Sequence, residues 1–301
     1  MNCDISVARV TNMYISFEPT LECNMSCVYC YNKEHLVDKP DNNNFIQAMF
    51  IRRVKEVLEK NPSLTLELDI LGGEPSISSS TVPLMNKLIT LRDDYKNLEI
   101  VSLTTNAKEV LYNIDDLIDS PIIKIEATYH NDIDVDTFIE NILIYNIKYK
   151  VIVTINLFKS SIDKDKIFKL IDICNKNNIE TIPMDIYINN KVQYVDDVLY
   201  KEIYDSTSHG NFYTDYVNGF VWEVPRDHKC RLLSVNVLFD GTISSSCGHI
   251  LDIKNIKTSK IEMNKILKCN GTICEGSAGI NQREQSKDLN ENTRDYTPTL
   301  I

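Results

Sequence analysis

Residues 22–31 read Glu22-Cys23-Asn24-Met25-Ser26-Cys27-Val28-Tyr29-Cys30-Tyr31, which sets three cysteines at C-x3-C-x2-C. They follow an apolar, strand-like run from Met13 to Phe17, so the triplet stands just past the end of a strand. Three thiolates this close in sequence can wrap one small iron–sulfur cluster. A four-iron cluster takes four ligands, which leaves one iron for a group that is not protein. A small molecule bound there can take an electron from the cluster. The competing chemistry is a structural zinc knuckle, but zinc takes four tight protein ligands and the triplet supplies three.

Composition narrows the field. The chain has 301 residues, 43% of them hydrophobic, enough for one large domain and an appendage. A formal net charge of −11 and a pI near 5.0 advertise no basic face, so no nucleic-acid partner is expected. Nine cysteines occur without a charged-then-apolar N-terminal signal, and no apolar run reaches the length of a membrane span. A cytoplasmic chain with thiolate-bound metal is expected, rather than a disulfide framework or a membrane protein.

From residue 12 to about 188, short β-like runs alternate with helical ones. The strands are expected at 12–18, 64–71, 99–105, 121–129, 150–157 and 181–188. Between them, apolar residues recur at helical spacing, as in Phe45, Met49, Phe50, Val54, Val57 and Leu58, or Ile167, Leu170, Ile171 and Cys174. Strand and helix in alternation predict parallel strands with crossover helices, and six such units predict an α/β fold, a partial (β/α)6 barrel. Each strand has one apolar face, such as Met13, Ile15 and Phe17. The opposite face is polar, with Tyr14, Ser16 and Glu18 followed by Glu67 and Asp69, then Lys124, Glu126 and Thr128, then Thr154 and Asn156. The apolar faces must meet the helices, so the polar faces line the lumen as an open trough.

Ligand sites on parallel sheets gather at the carboxyl ends of the strands. The triplet follows the first strand, and Gly72-Gly73-Glu74-Pro75 follows the second. Two glycines allow a close backbone approach, and Glu74 offers an acceptor to an ammonium. The third strand ends at Thr104-Thr105-Asn106, the fourth at Thr128-Tyr129-His130, and Asn156 lies late in the fifth.

Together these motifs resemble the radical S-adenosylmethionine (AdoMet) superfamily over about residues 12–188, most specifically in the triplet, with Tyr29 in its aromatic slot, and in G-G-E-P. The resemblance implies a [4Fe–4S] cluster on Cys23, Cys27 and Cys30, with AdoMet on the open iron. Reductive cleavage of AdoMet then yields a 5′-deoxyadenosyl radical that abstracts hydrogen from substrate. It implies that Gly72, Gly73, Glu74 and Pro75 hold the methionine end, and that Tyr29, Asn106, Thr128 and Asn156 surround adenosine. Ala107 departs from the family pattern by replacing a glycine after Asn106. A low-potential electron donor such as flavodoxin or ferredoxin is implied as a partner.

Beyond residue 190 the rhythm stops. Cys230, Cys247, Cys269 and Cys274 fall here, and Asp240-Gly241 between β-like runs predicts a hairpin. The arrangement is similar to SPASM and shorter twitch extensions, which carry an auxiliary iron–sulfur cluster. Ten residues separate Cys230 from Gly241, as that pattern asks, but five rather than four separate Gly241 from Cys247. A two-residue turn would set Cys247 opposite Ser234, roughly 13 Å along the strand from Cys230, so a bulge or longer loop is needed for shared ligation. The alternatives are zinc or free thiols, with His249 as a substitute ligand; Cys174 belongs to the core and Cys3 has no assigned role.

The expected domains are a barrel at 1–190, a connecting or lid segment rich in aromatics at 191–229, an auxiliary-cluster domain at 230–280, and a disordered tail at 281–301. Lumen acids Glu67, Asp69 and Glu126, with His130, are the catalytic candidates and imply a polar substrate. By analogy with relatives that share the extension, that substrate is a peptide or protein. The alternatives are a sugar or nucleotide-precursor enzyme, a glycyl-radical-enzyme activase, and a non-catalytic electron-transfer module.

Overall fold

The structure, a computed structural model, describes residues 12–30, 44–158, 161–188, 191–192, 197–207, 222–223, 229–245, 254–263, 265–268 and 273–274. The expected tail, Cys3, Cys247, His249, Cys269 and the aromatics Phe212, Tyr213 and Tyr216 lie outside the described residues.

Six strands form where the apolar runs predicted them: β1 (Asn12–Thr20), β2 (Thr65–Gly72), β3 (Leu98–Thr105), β4 (Ile123–Tyr129), β5 (Lys150–Leu157) and β6 (Glu180–Asp185). They pair in parallel and in sequence order. Crossover helices α1 (Asn44–Lys60), α2 (Thr81–Ile89), the short α3 (Leu91–Asp94), α4 (Val135–Asn146) and α5 (Lys164–Lys176) cover one face. The face assignment follows from side-chain alternation. Met13, Ile15 and Phe17 are fully buried against the helices, and Phe17 stacks on Phe50 of α1 with ring centroids 4.3 Å apart. β4 alternates strictly, with Lys124, Glu126 and Thr128 half-buried on the lumen side. Asp134 and Asp163 accept hydrogen bonds from Thr137 N and Lys166 N, capping α4 and α5 where each strand turns back.

Two departures from the expected plan have local causes. The third crossover holds only a 3₁₀ turn, Ile114–Asp116, because Ala107 and Asn113 both take left-handed backbone angles that interrupt any longer helix. Tyr145 of α4 closes that crossover by accepting from Leu111 N at 2.7 Å. Past β6 the chain forms α6 (Asp197–Ser206), whose Tyr200, Ile203 and Tyr204 are buried. Tyr200 and Tyr204, in the segment expected to be a connector or lid, thus pack into the core.

Short strands follow. β7 (Tyr187–Ile188) pairs with β8 (Lys191–Val192), β9 (Trp222–Glu223) with β15 (Ile273–Cys274), and β10 (Lys229–Leu232) with β14 (Lys265–Lys268). The C-terminal hairpin is β11 (Ser234–Val237) and β12 (Thr242–Ser245), with β13 (Lys254–Asn255) beside it. Rather than standing apart, the hairpin extends the main sheet: β11 runs parallel to β1, giving the order β13-β12-β11-β1-β2-β3-β4-β5-β6 among the described residues.

The turn differs from the expected two-residue type. Leu238 accepts from Gly241 N, and Leu238 N donates to Thr242 O, which makes a three-residue loop with Gly241 left-handed at φ +87°. Val237 consequently pairs with Ile243, one residue off the two-residue register. Gly241 is required twice, because a Cβ there would also meet Ile256 at 2.8 Å and Ile46 of α1 at 2.9 Å.

Candidate active site

The carboxyl ends of β1 to β5 converge on one region. β1 shifts register against β2 between Phe17 and Thr20, and the chain then leaves the sheet as the cysteine loop. Its base is bound to the G-G-E-P turn by backbone bonds: Gly73 N donates to Thr20 O at 2.9 Å, and Glu74 N to Glu22 O at 2.6 Å. A Cβ on Gly72 would fall 2.5 Å from Thr20 O, and one on Gly73 2.2 Å from Glu22 O. The glycines thus admit the protein's own backbone at the start of the cysteine loop.

Glu74 is held by the protein itself. Its carboxylate is buried and accepts from Ser76 N at 2.9 Å, Thr105 Oγ1 at 2.6 Å and Asn106 N at 2.7 Å. Burial pushes its pKa up, against the pull of those donors. A carboxylate has about four acceptor positions, and three of them are filled from within the protein. Glu74 is therefore first a clamp between the ends of β2 and β3.

Asn106 extends the clamp to the cysteines. Its side-chain Nδ2 donates to Asn24 Oδ1 at 2.8 Å, while Lys108 Nζ donates to Asn24 O at 3.1 Å and Asn24 Nδ2 to Glu109 at 3.0 Å. Sequence reasoning missed Asn24, whose only signal was its place inside the cysteine motif. Pro75 is buried at the start of a 3₁₀ turn, Pro75–Ile77.

Cys23, Cys27 and Cys30 are half-buried free thiols. Burial raises the pKa of Cys23 and Cys27, and the neighbouring Cys23 raises that of Cys27 further. Among the described residues no three His, Cys, Asp or Glu side chains converge on a single ion.

Across the loop, Tyr29 stacks on His130 with 4° between ring planes, and its hydroxyl lies 2.8 Å from His130 Nδ1. Burial pushes the His130 imidazole down to about 4, so the ring is neutral at pH 7. Asn156 is buried, with Nδ2 3.3 Å from His130 Nδ1, while its Oδ1 has no hydrogen-bond partner. A buried amide oxygen in that state fits a site that a ligand completes. Thr128 faces the lumen half-buried, on the same strand face as Glu126.

The lumen acids are engaged by the protein. Asp69 is buried and accepts from Tyr14 Oη at 2.8 Å, Ser102 Oγ at 2.9 Å and Thr104 Oγ1 at 3.0 Å. Burial, helped by Glu126, raises its pKa to about 6. Glu126 pairs with Lys124 at 2.6 Å, and Glu67 accepts from Asn12 at 3.3 Å. Of the C-terminal cysteines, Cys230 lies in β10 opposite Leu267 and Cys274 in β15 opposite Trp222.

Comparison with known proteins agrees with this geometry. Residues 17–137 match the 4Fe-4S single cluster domain family. No curated protein sequence matches the chain. Among solved structures, hexahistidine-tagged anSMEcpe with bound AdoMet is similar with a TM-score of 0.54 at 14% identity, over 83% of this chain and 79% of that one. BtrN in an open conformation aligns over 83% of this chain and 77% of that one, at 13% identity and a TM-score of 0.36, too low to carry weight.

The fold is therefore the mixed α/β, partial-barrel fold of the AdoMet-bound structure. The cluster-domain match spans the cysteine loop and much of the barrel that this fold builds.

Proposed function

We propose that this radical AdoMet enzyme holds its [4Fe–4S] cluster on Cys23, Cys27 and Cys30 and binds AdoMet against the carboxyl ends of β1 to β5. It abstracts hydrogen from a polar substrate, most simply a peptide or protein, lodged in the lumen. When bound, the reduced cluster supplies the electron that cleaves the AdoMet sulfonium to a 5′-deoxyadenosyl radical. The observation that supports the reading is the backbone lock that holds the cysteine loop against the G-G-E-P turn.

The chain's own residues divide the work. The three thiolates anchor the cluster, and the turn at Gly72–Glu74 receives the methionine end. Asn156 Oδ1 offers its unpaired acceptor to a hydroxyl or amine of the adenosine. Cys230, Cys247, Cys269 and Cys274 are assigned to a second cluster. The resemblance to SPASM and twitch extensions is what supports that assignment. A peptide substrate is carried over from the resemblance, and the polar lumen face accords with it.

Anaerobically reconstituted chain, given reductant and AdoMet, is expected to release 5′-deoxyadenosine. Cys27→Ala is expected to abolish that release. A fully iron-loaded chain that forms none would leave only an electron-transfer module. The triple cysteine-to-alanine variant at 23, 27 and 30 should retain iron if the second cluster exists.

A further inference from the structure

Cys23 stands between two neighbours that are each tied to the strand-end turns. Ahead of it, Glu22 O accepts from Glu74 N at 2.6 Å. Behind it, Asn24 Oδ1 accepts from Asn106 Nδ2 at 2.8 Å. Glu74 Oε2 in turn accepts from Asn106 N at 2.7 Å, so Glu74 and Asn106 close a ring of hydrogen bonds around Cys23. Asn24 is the side chain through which the cysteine loop enters that ring.

The direction of each amide is fixed by its neighbours. Ala107, left-handed at φ 48°, turns Lys108 N back onto Asn106 Oδ1 at 2.9 Å, so Asn106 presents its Nδ2 to the cysteine loop. Asn24 must then offer its oxygen to Asn106, which leaves its Nδ2 to donate to Glu109 Oε1 at 3.0 Å. Lys108 Nζ adds a third bond, donating to Asn24 O at 3.1 Å. From α4, Asn141 Nδ2 donates to Ala107 O at 2.9 Å and to Lys108 O at 3.1 Å, which holds the gripping segment itself. A carboxylate in place of the Asn24 amide would still accept from Asn106 but would turn its second oxygen on Glu109. We propose that Asn24 is a positioning residue that fixes Cys23 relative to Glu74 and thereby sets the affinity for AdoMet. This role rests on the function proposed above, in which one small molecule reaches both the open iron and the Gly72–Glu74 turn. Fixing that spacing before the ligand arrives removes an ordering cost that binding would otherwise carry.

The test is equilibrium dialysis of AdoMet against the full, anaerobically reconstituted chain, with iron measured alongside and affinity expressed per loaded chain. Asn24→Ala is expected to raise the AdoMet Kd about tenfold. Asn24→Asp is expected to act in the same direction, and Glu109→Gln in that background to restore affinity, because the introduced amide donates to the introduced carboxylate. Glu109→Gln alone is expected to match the wild type, since its amide oxygen still accepts from Asn24. Wild-type affinity in loaded Asn24→Ala overturns the proposal, because a residue that only stabilised the loop would change iron uptake and leave the loaded chain's affinity unchanged. So does an Asn24→Asp defect that Glu109→Gln leaves undiminished. If Asn24→Ala takes up no iron, Asn24→Asp with and without Glu109→Gln decides the matter. A wild-type chain that loads iron and binds no AdoMet overturns the functional reading itself, and this inference with it.

Discussion

At the scale of single residues, Ala107 shows how a local departure from pattern becomes physical strain. It follows Asn106 at the end of β3 with φ 48°, where a left-handed backbone crowds Cβ against the following carbonyl. The substitution was visible in the sequence, but its cost was not, because the angle is set by Glu74 and Thr105 gripping the turn. Thr105 Oγ1 accepts from Ala107 N at 3.0 Å, and Glu74 Oε2 from Asn106 N at 2.7 Å. Ala107→Gly is expected to stabilise the apoprotein by about 1 kcal/mol, read as a higher urea midpoint with an unchanged slope. A lower midpoint would mean that the gain in chain freedom on unfolding outweighs the strain relieved.

At the scale of elements, the cysteine loop and the G-G-E-P turn are one unit, although 50 residues of sequence separate Cys23 from Gly73. Both motifs were legible as neighbours in function. What the sequence could not show was that the glycines admit the neighbouring strand's backbone. Gly73→Ala places a Cβ on a carbonyl oxygen and adjoining backbone, with no flexible side chain to move aside. The cysteine loop is expected to be displaced. Reconstituted Gly73→Ala should lose iron faster than wild type to a chelator, while its far-ultraviolet circular dichroism stays native. Equal release rates would show that the loop holds its place without the Gly73–Thr20 bond.

At the scale of the whole molecule, the lumen's polarity has a consequence for stability. Asp69 gathers hydroxyls from β1 and β3 around one buried carboxyl, with Glu126 of β4 adding negative charge nearby. Its pKa of about 6 lies above the value of about 4 expected in the unfolded chain. Between those two values the folded chain keeps a proton that the unfolded chain has released. Stability from this group therefore falls as pH rises through that window and returns on acidification, by at most about 3 kcal/mol. Asp69→Asn is expected to flatten the dependence of the unfolding free energy between pH 4.5 and pH 7, measured on the apoprotein. A slope identical to wild type would place the titration elsewhere.

The sequence by itself determined the six parallel strands, the faces they present and the positions of the two strand-end motifs. Those follow from alternation of apolar residues and from turn chemistry, which are local. Only the tertiary structure decided that β11 joins β1, that Tyr200 and Tyr204 pack in the core, and that Glu74, Asn24 and Asn106 form one clamp. Each depends on contacts between residues far apart in the chain. Burial and hydrogen-bond saturation there assign a polar side chain to the fold or leave it, like Asn156, with an atom still to be paired.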